Sequence, residues 1–224
     1  MTDHTTRAVS FGRRRSHASY RAAKRVTETV LVVAVLPLVL PTLVLCAIGT
    51  AIALRSWPFF TQDRVGRDGR EFRCLKLRTL PPGTPRYAAK HEITDLAVPG
   101  FSAALRRLHL DELPQLFLVL TGSMSLVGPR PEMPYLHEAM RPGFQKLRTA
   151  VSPGCTGLWQ ISAYRDQMIY EHPEYDEHYL AHRSLRFDLW ILWRTVRVVL
   201  PGRAARVASL DDLPVWTRTP VSPR

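Results

Sequence analysis

Charge and apolar character divide this chain sharply. From Thr29 to Leu54 no charged residue occurs, and that run exceeds the roughly 20 residues needed to cross a bilayer core. It is too long and too far from the first residue for a secretory signal, and no small-residue cleavage site ends it. The segment therefore predicts a membrane helix. Pro37 and Pro41 lie inside it. Each removes a helical hydrogen bond and frees a carbonyl one turn back, so a break is expected, at Pro41. Arg13, Arg14, Arg15, Arg21, Lys24 and Arg25 precede the run, and Arg55, Arg64, Arg67, Arg70 and Arg73 follow it. A straight span would carry one cluster outside, against the positive-inside bias. A re-entrant helix, entering and leaving on one side, keeps both in the cytoplasm and is favoured over a spanning one.

Beyond the membrane segment the periodicity changes. Ser56-Trp-Pro-Phe-Phe60 is aromatic and suits the headgroup layer. Turn residues at Gly66 and Asp68-Gly69 separate Phe59-Phe60 from an alternating run, Phe72 to Leu77, which predicts a small β-hairpin. Lys76 and Arg78, two apart, would share a face of its second strand, facing a phosphate or solvent. Residues 81–99 read as a loop or short helix. Short helical patterns cover 102–110 and 114–120, and a longer one covers 131–148 with Glu132, His137 and Glu138 exposed. Residues 152–160 form a glycine-containing turn into an aromatic segment.

Near the end, Leu185, Leu189, Leu192, Trp193, Val196 and Leu200 recur at helical spacing, with Arg186, Arg194 and Arg197 between them. This is an amphipathic basic helix stopped by Pro201-Gly202. It suits a membrane surface and a core-packing helix with a solvated basic face equally. The predicted order is a basic mobile tail at 1–20, the membrane helix at 21–55, one folded domain at 56–202 and a mobile tail at 203–224. The fold class is α+β and mainly helical: a proline-broken re-entrant membrane helix, a small β-hairpin and interfacial amphipathic helices around one domain.

A net charge of +12 over 224 residues points to anionic partners. The basic residues follow the membrane flanks and no base-reading motif occurs, so anionic lipids are expected and nucleic acid is not. Cys46, Cys74 and Cys155 form no Cys-x-x-Cys pattern, which excludes a disulfide framework and a zinc site and fits a reducing compartment. His172, His178 and His182 follow no known ligand pattern and read as surface histidines.

The chemistry concentrates at Leu108-His-Leu-Asp-Glu-Leu-Pro-Gln-Leu116. Pro114 suits the first turn of a helix. Asp111 and Glu112 should then sit at that helix's positive end, where ionised groups and phosphate are favoured. Alone, such a pair is usually a helix cap. Gly122-Ser-Met-Ser-Leu-Val-Gly-Pro-Arg-Pro131, however, can bring Arg130 close on a stiff turn. Acid pair, helix end and fixed arginine together suit metal-assisted chemistry on a phosphate.

Five strings in register extend this reading: Lys24-Arg25 before the proline-interrupted apolar helix; Phe60 to Phe72 with Lys76-Leu-Arg-Thr79; Leu105 to Leu116; Met124-Ser-Leu-Val-Gly-Pro-Arg-Pro131; and Pro153-Gly-Cys-Thr-Gly-Leu-Trp-Gln160. From Lys24 to about Leu200 the chain resembles the small monotopic phosphoglycosyl transferases, a family of bacterial sugar transferases. It departs from their pattern at Leu40-Pro41, where Ser-Pro is common, at Glu28, where Asp is usual, at Ser152, where Arg is usual, and at Ala163-Tyr164-Arg165, where Gly-Arg is usual.

The resemblance implies an enzyme on the cytoplasmic face of the bacterial cell membrane, with 56–202 as its catalytic domain. It would move a sugar-1-phosphate from a UDP-sugar to polyprenyl phosphate, usually undecaprenyl phosphate, with release of UMP, and so start exopolysaccharide or other surface glycan assembly. On this reading Asp111 is the nucleophile that forms a covalent phosphosugar. Glu112, with Asp111, holds Mg²⁺, and Arg106 and Arg130 grip phosphate oxygens, with Lys76 and Arg78 as weaker candidates for that task. Nothing in the pattern opposes a homo-oligomer. Two rivals are a membrane-bound nucleotide-sugar hydrolase and a non-catalytic basic anchor for glycan enzymes, which would need neither acid.

Overall fold

The computed structural model describes residues 4–85, 98–199 and 206–217, with side chains from residue 18 onward. Most of the expected 81–99 loop, the stop at Pro201-Gly202 and the outer ends of both expected tails lie outside the described residues.

The N-terminal apolar pattern forms one helix, α1 (His4–Leu54). It starts well before the expected residue 21, and its part Ala18–Leu54 is long and apolar enough to cross a membrane. Glu28, Val32, Val39, Leu43, Cys46, Thr50 and Leu54 are buried, at spacings that place them on one helix face. Val26, Val30, Val33, Leu38, Leu45, Ile48 and Ile52 are exposed. Helical structure passes through Pro37 and Pro41 without interruption, so the break expected at Pro41 does not divide the helix. Helix α1 docks on the domain on both sides of the prolines. Val32 and Leu36 pack with Cys74, Val119 and Met124, while Leu43 and Cys46 pack with Leu77 and Leu105.

The hairpin forms as its alternation requires. Strands β1 (Phe59–Val65) and β2 (Glu71–Leu77) pair antiparallel, with Phe60 opposite Lys76 and Arg64 opposite Phe72. Its turn places Asp68 and Gly69 at φ 58° and 74°, a left-handed geometry that Asp-Gly accommodates. A second pair was not expected. Within the anticipated turn at 152–160, β4 (Gly154–Thr156) pairs parallel with β3 (Ser125–Val127). A Cβ on Gly154 would meet the amide of Gly128 and the carbonyl of Thr156. Gly154→Ala is therefore expected to push the strands apart at a cost of about 1–3 kcal/mol. A thermal melt should show a lower midpoint, and an unchanged melt would mean that the strands separate freely.

Six shorter helices complete the domain: α2 (Gly100–Arg107), α3 (Gln115–Thr121), α4 (Pro134–Glu138), α5 (Pro142–Thr149), α6 (Pro173–His182) and α7 (Leu185–Val199). The single helix expected over 131–148 is two, because Pro134 and Pro142 each start a new one. Glu132, expected on the surface, is buried. The main core gathers Phe144, Leu158, Ile161, Tyr175, Tyr179, Phe187 and Ile191, together with Val207 and Leu213. Residues 206–217 are thus folded rather than part of a mobile tail: the Val207 amide donates to the Ile161 carbonyl at 3.1 Å, and its carbonyl accepts from Ala163 at 2.9 Å. Helix α7 turns Phe187 and Ile191 inward rather than the predicted apolar set, of which Leu189, Trp193 and Val196 face outward.

Two buried carboxylates fasten α1 to this core. Asp188 accepts from Lys24 at 2.8 Å and from the hydroxyls of Tyr20 and Tyr179, each at 2.8 Å. Glu28 accepts from the Ser125 hydroxyl at 2.6 Å and from the amides of Leu126 and Val127 at 3.0 and 3.3 Å. It therefore accepts from two backbone donors of β3. Arg25 donates to the carbonyls of Val119 and Leu120, where a cation complements the C-terminal end of α3.

Candidate active site

The chain leaves α2 and reverses at His109, a non-glycine residue with φ 56°. Backbone strain of this kind persists where the surroundings over-determine it. The next residues, Leu110–Glu112, form a single 3-10 turn that runs through Leu113 and Pro114 into α3. The acid pair therefore lies one turn ahead of a helix N-terminus, close to the placement that Pro114 predicts.

Strand β2 and the 128–132 loop converge on this turn. Oε1 of Glu112 accepts from Nζ of Lys76 at 2.7 Å, and the Arg130 guanidinium lies 3.6 Å from the same oxygen. Arg64, Cys74, Gln115 and Gly154 line the same cleft. Arg106 sits exposed at the end of α2 and acts on Asp111 through its charge. Arg78 is not brought in: its Nε donates to the Trp57 carbonyl at 3.2 Å and its guanidinium lies over the Phe60 ring. Among the described residues no group of three or more His, Cys, Asp and Glu could hold a metal ion. His172 instead stacks on Tyr164 and pairs with Glu174.

The two carboxyls experience opposite fields. Burial and the neighbouring Glu112 charge push Asp111 up to about 6, against the pull of Lys76 and Arg106. Burial would also raise Glu112, but the charges of Lys76 and Arg130 dominate and hold its carboxyl far below the usual carboxylate range. Glu112 is thus a permanent anion, while Asp111 is a more basic carboxylate that is about nine-tenths ionised at pH 7. Such a split is how one site assigns two acids different tasks. Carboxyl ¹³C NMR of the metal-free protein should show Asp111 titrating near 6, with Glu112 still ionised below pH 4. An Asp111 inflection near 4 would remove the distinction. Burial, opposed by Glu112, lowers the His109 pKa, so its ring is neutral at pH 7.

The stiffness expected of the Arg130 turn comes from residues that sequence reasoning did not single out. Successive carbonyls are each held: Pro129 by the Gly154 amide at 2.9 Å, Arg130 by Arg148 at 2.7 Å, Pro131 by Arg64 at 3.1 Å, and Glu132 by the Val65 amide at 2.9 Å. Arg148 is itself fixed by Asp176 at 2.8 Å, and Glu132 lies 3.9 Å from both Arg64 and Arg148. Alternation along the hairpin carried a signal for Arg64, because it shares a strand face with Lys76 through the pairing register. No local signal marks Arg148 or Asp176.

Comparison with known proteins identifies the family. The family described as Bacterial sugar transferase matches residues 19–202. A UDP-glucose:undecaprenyl-phosphate glucose-1-phosphate transferase of Escherichia coli is 36% identical, over 83% of this chain and 42% of its own length. A UDP-galactose-lipid carrier transferase of Erwinia amylovora is 34% identical, over 81% of this chain and 41% of its own. The exopolysaccharide production protein ExoY of Sinorhizobium fredii is 32% identical, over 66% of this chain and 72% of its own. The chain thus spans less than half the length of the first two. With the acid pair, Lys76 and Arg130 all inside the matched region, the chain belongs to the bacterial sugar transferase family.

Proposed function

We propose that this protein transfers a sugar-1-phosphate from a UDP-sugar to a polyprenyl phosphate, undecaprenyl phosphate foremost, releasing UMP and so initiating surface glycan synthesis. The observation that carries the reading is the adjacent pair Asp111 and Glu112, with Glu112 held 2.7 Å from Lys76 and 3.6 Å from Arg130. The names of the similar transferases, which specify UDP-sugars and an undecaprenyl phosphate acceptor, support the substrates. That of ExoY supports the exopolysaccharide context.

In the proposed mechanism the Asp111 carboxylate attacks the β-phosphorus of the UDP-sugar. A carboxyl-oxygen-to-phosphorus bond forms, the bond to the bridging oxygen breaks, and UMP leaves with that electron pair. A phosphate oxygen of the lipid then attacks the same phosphorus and Asp111 leaves, which splits one hard transfer into two easier ones. Arg130, held by its pinned loop, and Lys76 offset the charge of the diphosphate, with Arg106 at the rim. Magnesium is commonly held by one or two carboxylates plus substrate phosphates rather than by a full protein cage, a description that adjacent Asp111 and Glu112 fit. Held by Glu112 and Asp111, Mg²⁺ would neutralise diphosphate charge and stabilise the departing UMP.

The docking of α1 supports a membrane geometry. Lys24 and Arg25 at one end of the apolar run, and Leu43 and Cys46 toward the other, attach to the same folded domain. Attachment on both sides of Pro37 and Pro41 supports a monotopic placement with entry and exit at the cytoplasmic face, in which α1 bends at the prolines while keeping its helical structure. The exposed apolar stripe of α1 and the outward Leu189, Trp193 and Val196 of α7 would lie against lipid. Arg197, stacked on Trp193 at 4.7 Å, would meet anionic headgroups.

The purified protein in lipid nanodiscs, with Mg²⁺ and a panel of UDP-sugars, tests this reading through UMP release with and without undecaprenyl phosphate. Multiple turnovers only with the lipid are expected. Sustained turnover without it would make the protein a hydrolase, and no release with any sugar would leave a membrane anchor.

A further inference from the structure

The basic end of α1 borders a second pocket of about 860 Å³ including its open mouth, which shares no lining residue with the Glu112 cleft. Its charged lining is Arg21, Lys24, Arg25, Arg67, Arg183 and Glu28, five cations against one carboxylate. Two of the cations are already committed. Lys24 is paired with Glu28 at 2.9 Å and Asp188 at 2.8 Å, and Arg25 donates to the two carbonyls that end α3.

Among the described residues, the other three guanidinium groups lack adequate acceptors. Arg67 faces only its exposed neighbour Asp68, at 3.5 Å. Among the described residues, no carboxylate within ion-pair distance answers Arg21 or Arg183. The Nε of Arg183 is moreover buried without a hydrogen-bond acceptor. A buried donor left unmet is costly, and native structures rarely retain one without a partner. What these groups lack is a compact anion with several acceptor oxygens, the geometry in which planar guanidinium forks bind phosphate.

We propose that this pocket is a phosphate-binding site separate from the reacting centre, filled by a phosphate-bearing group such as an anionic lipid headgroup. It stands whether or not Asp111 is a nucleophile, and its test requires no turnover.

The test is calorimetric titration of the full chain in neutral detergent, in an Arg130→Gln background that weakens anion binding beside Glu112. The probes are inorganic phosphate, short-chain phosphatidylglycerol and phosphatidylcholine of the same chain length. Arg67→Gln/Arg183→Gln should weaken binding of phosphatidylglycerol at least about ten-fold, as expected for the loss of two charge-assisted contacts. Arg21→Gln, at an exposed position, should weaken it in the same direction with an unchanged thermal midpoint, which separates lost binding from lost folding. Phosphatidylglycerol binding more tightly than inorganic phosphate, with phosphatidylcholine silent, identifies a lipid headgroup. Equal affinity for inorganic phosphate identifies a soluble source. Binding unaltered by these substitutions, or no binding of any probe, overturns the site.

Discussion

Replacing Asp111 by Asn is expected to cut lipid-dependent UMP release by at least roughly a thousand-fold, the scale seen when a nucleophile is removed. Asparagine keeps the shape of the side chain but cannot form the acyl phosphate. The fold should tolerate it. Burial and Glu112 raise the Asp111 pKa to about 6, so the folded protein binds that proton more tightly than the unfolded chain does. At pH 7 the ionised carboxylate therefore costs stability rather than adding it, and the variant should melt at the same temperature or higher. Kinetics and a melt on one preparation check both halves. Lost activity with a lowered midpoint would attribute the effect to unfolding.

Replacing Arg148 by Met is expected to cause the largest loss of stability. Arg148 is almost wholly buried, is bound to Asp176 at 2.8 Å, and supports the carbonyl of Arg130. Burial already pushes the Asp176 pKa up against the Arg148 charge. Without the guanidinium, Asp176 and Glu132 are left buried beside each other with one cation fewer. Breaking a buried pair in this way costs about 3–5 kcal/mol, and a domain of this size loses roughly 10 °C of midpoint for that amount. Removing both charges, as in Arg148→Met/Asp176→Leu, should recover much of the loss, because the pair contributes far less than the penalty of an unpaired member. A double variant as unstable as the single one would show that Asp176 does not carry the penalty. Activity should fall in both, since the Arg130 carbonyl loses its donor in each.

Features set by neighbours in sequence were legible before the fold was known. The hairpin followed from alternation and Asp68-Gly69, and the acid pair near a helix start followed from Pro114. The approach of Arg130 followed from the flanking Gly128, Pro129 and Pro131. What stayed hidden depends on contacts between distant segments. Strands β3 and β4 are three residues each, with 26 residues between Val127 and Gly154, too short for any periodicity to show. Asp188 joins Tyr20 and Lys24 across more than 160 positions, and Arg148 reads locally as a surface cation on a helix. Val207 and Leu213 looked like isolated apolar residues in a polar tail, because their partners Ile161 and Tyr175 belong to another part of the chain. Two prolines predicted a broken helix at Pro41. Helical structure continues through both prolines, with α1 packed on the domain on either side of them.

The central claim is that the reaction passes through a phosphosugar carried on Asp111. Intact-protein mass spectrometry after incubation with Mg²⁺ and the active UDP-sugar, without lipid acceptor, tests it most directly. A mass increase of one sugar phosphate is expected, mapped to the peptide containing Asp111 and discharged on addition of undecaprenyl phosphate. An adduct that persists in the Asp111→Asn variant, or full turnover with no adduct at any time, would contradict it.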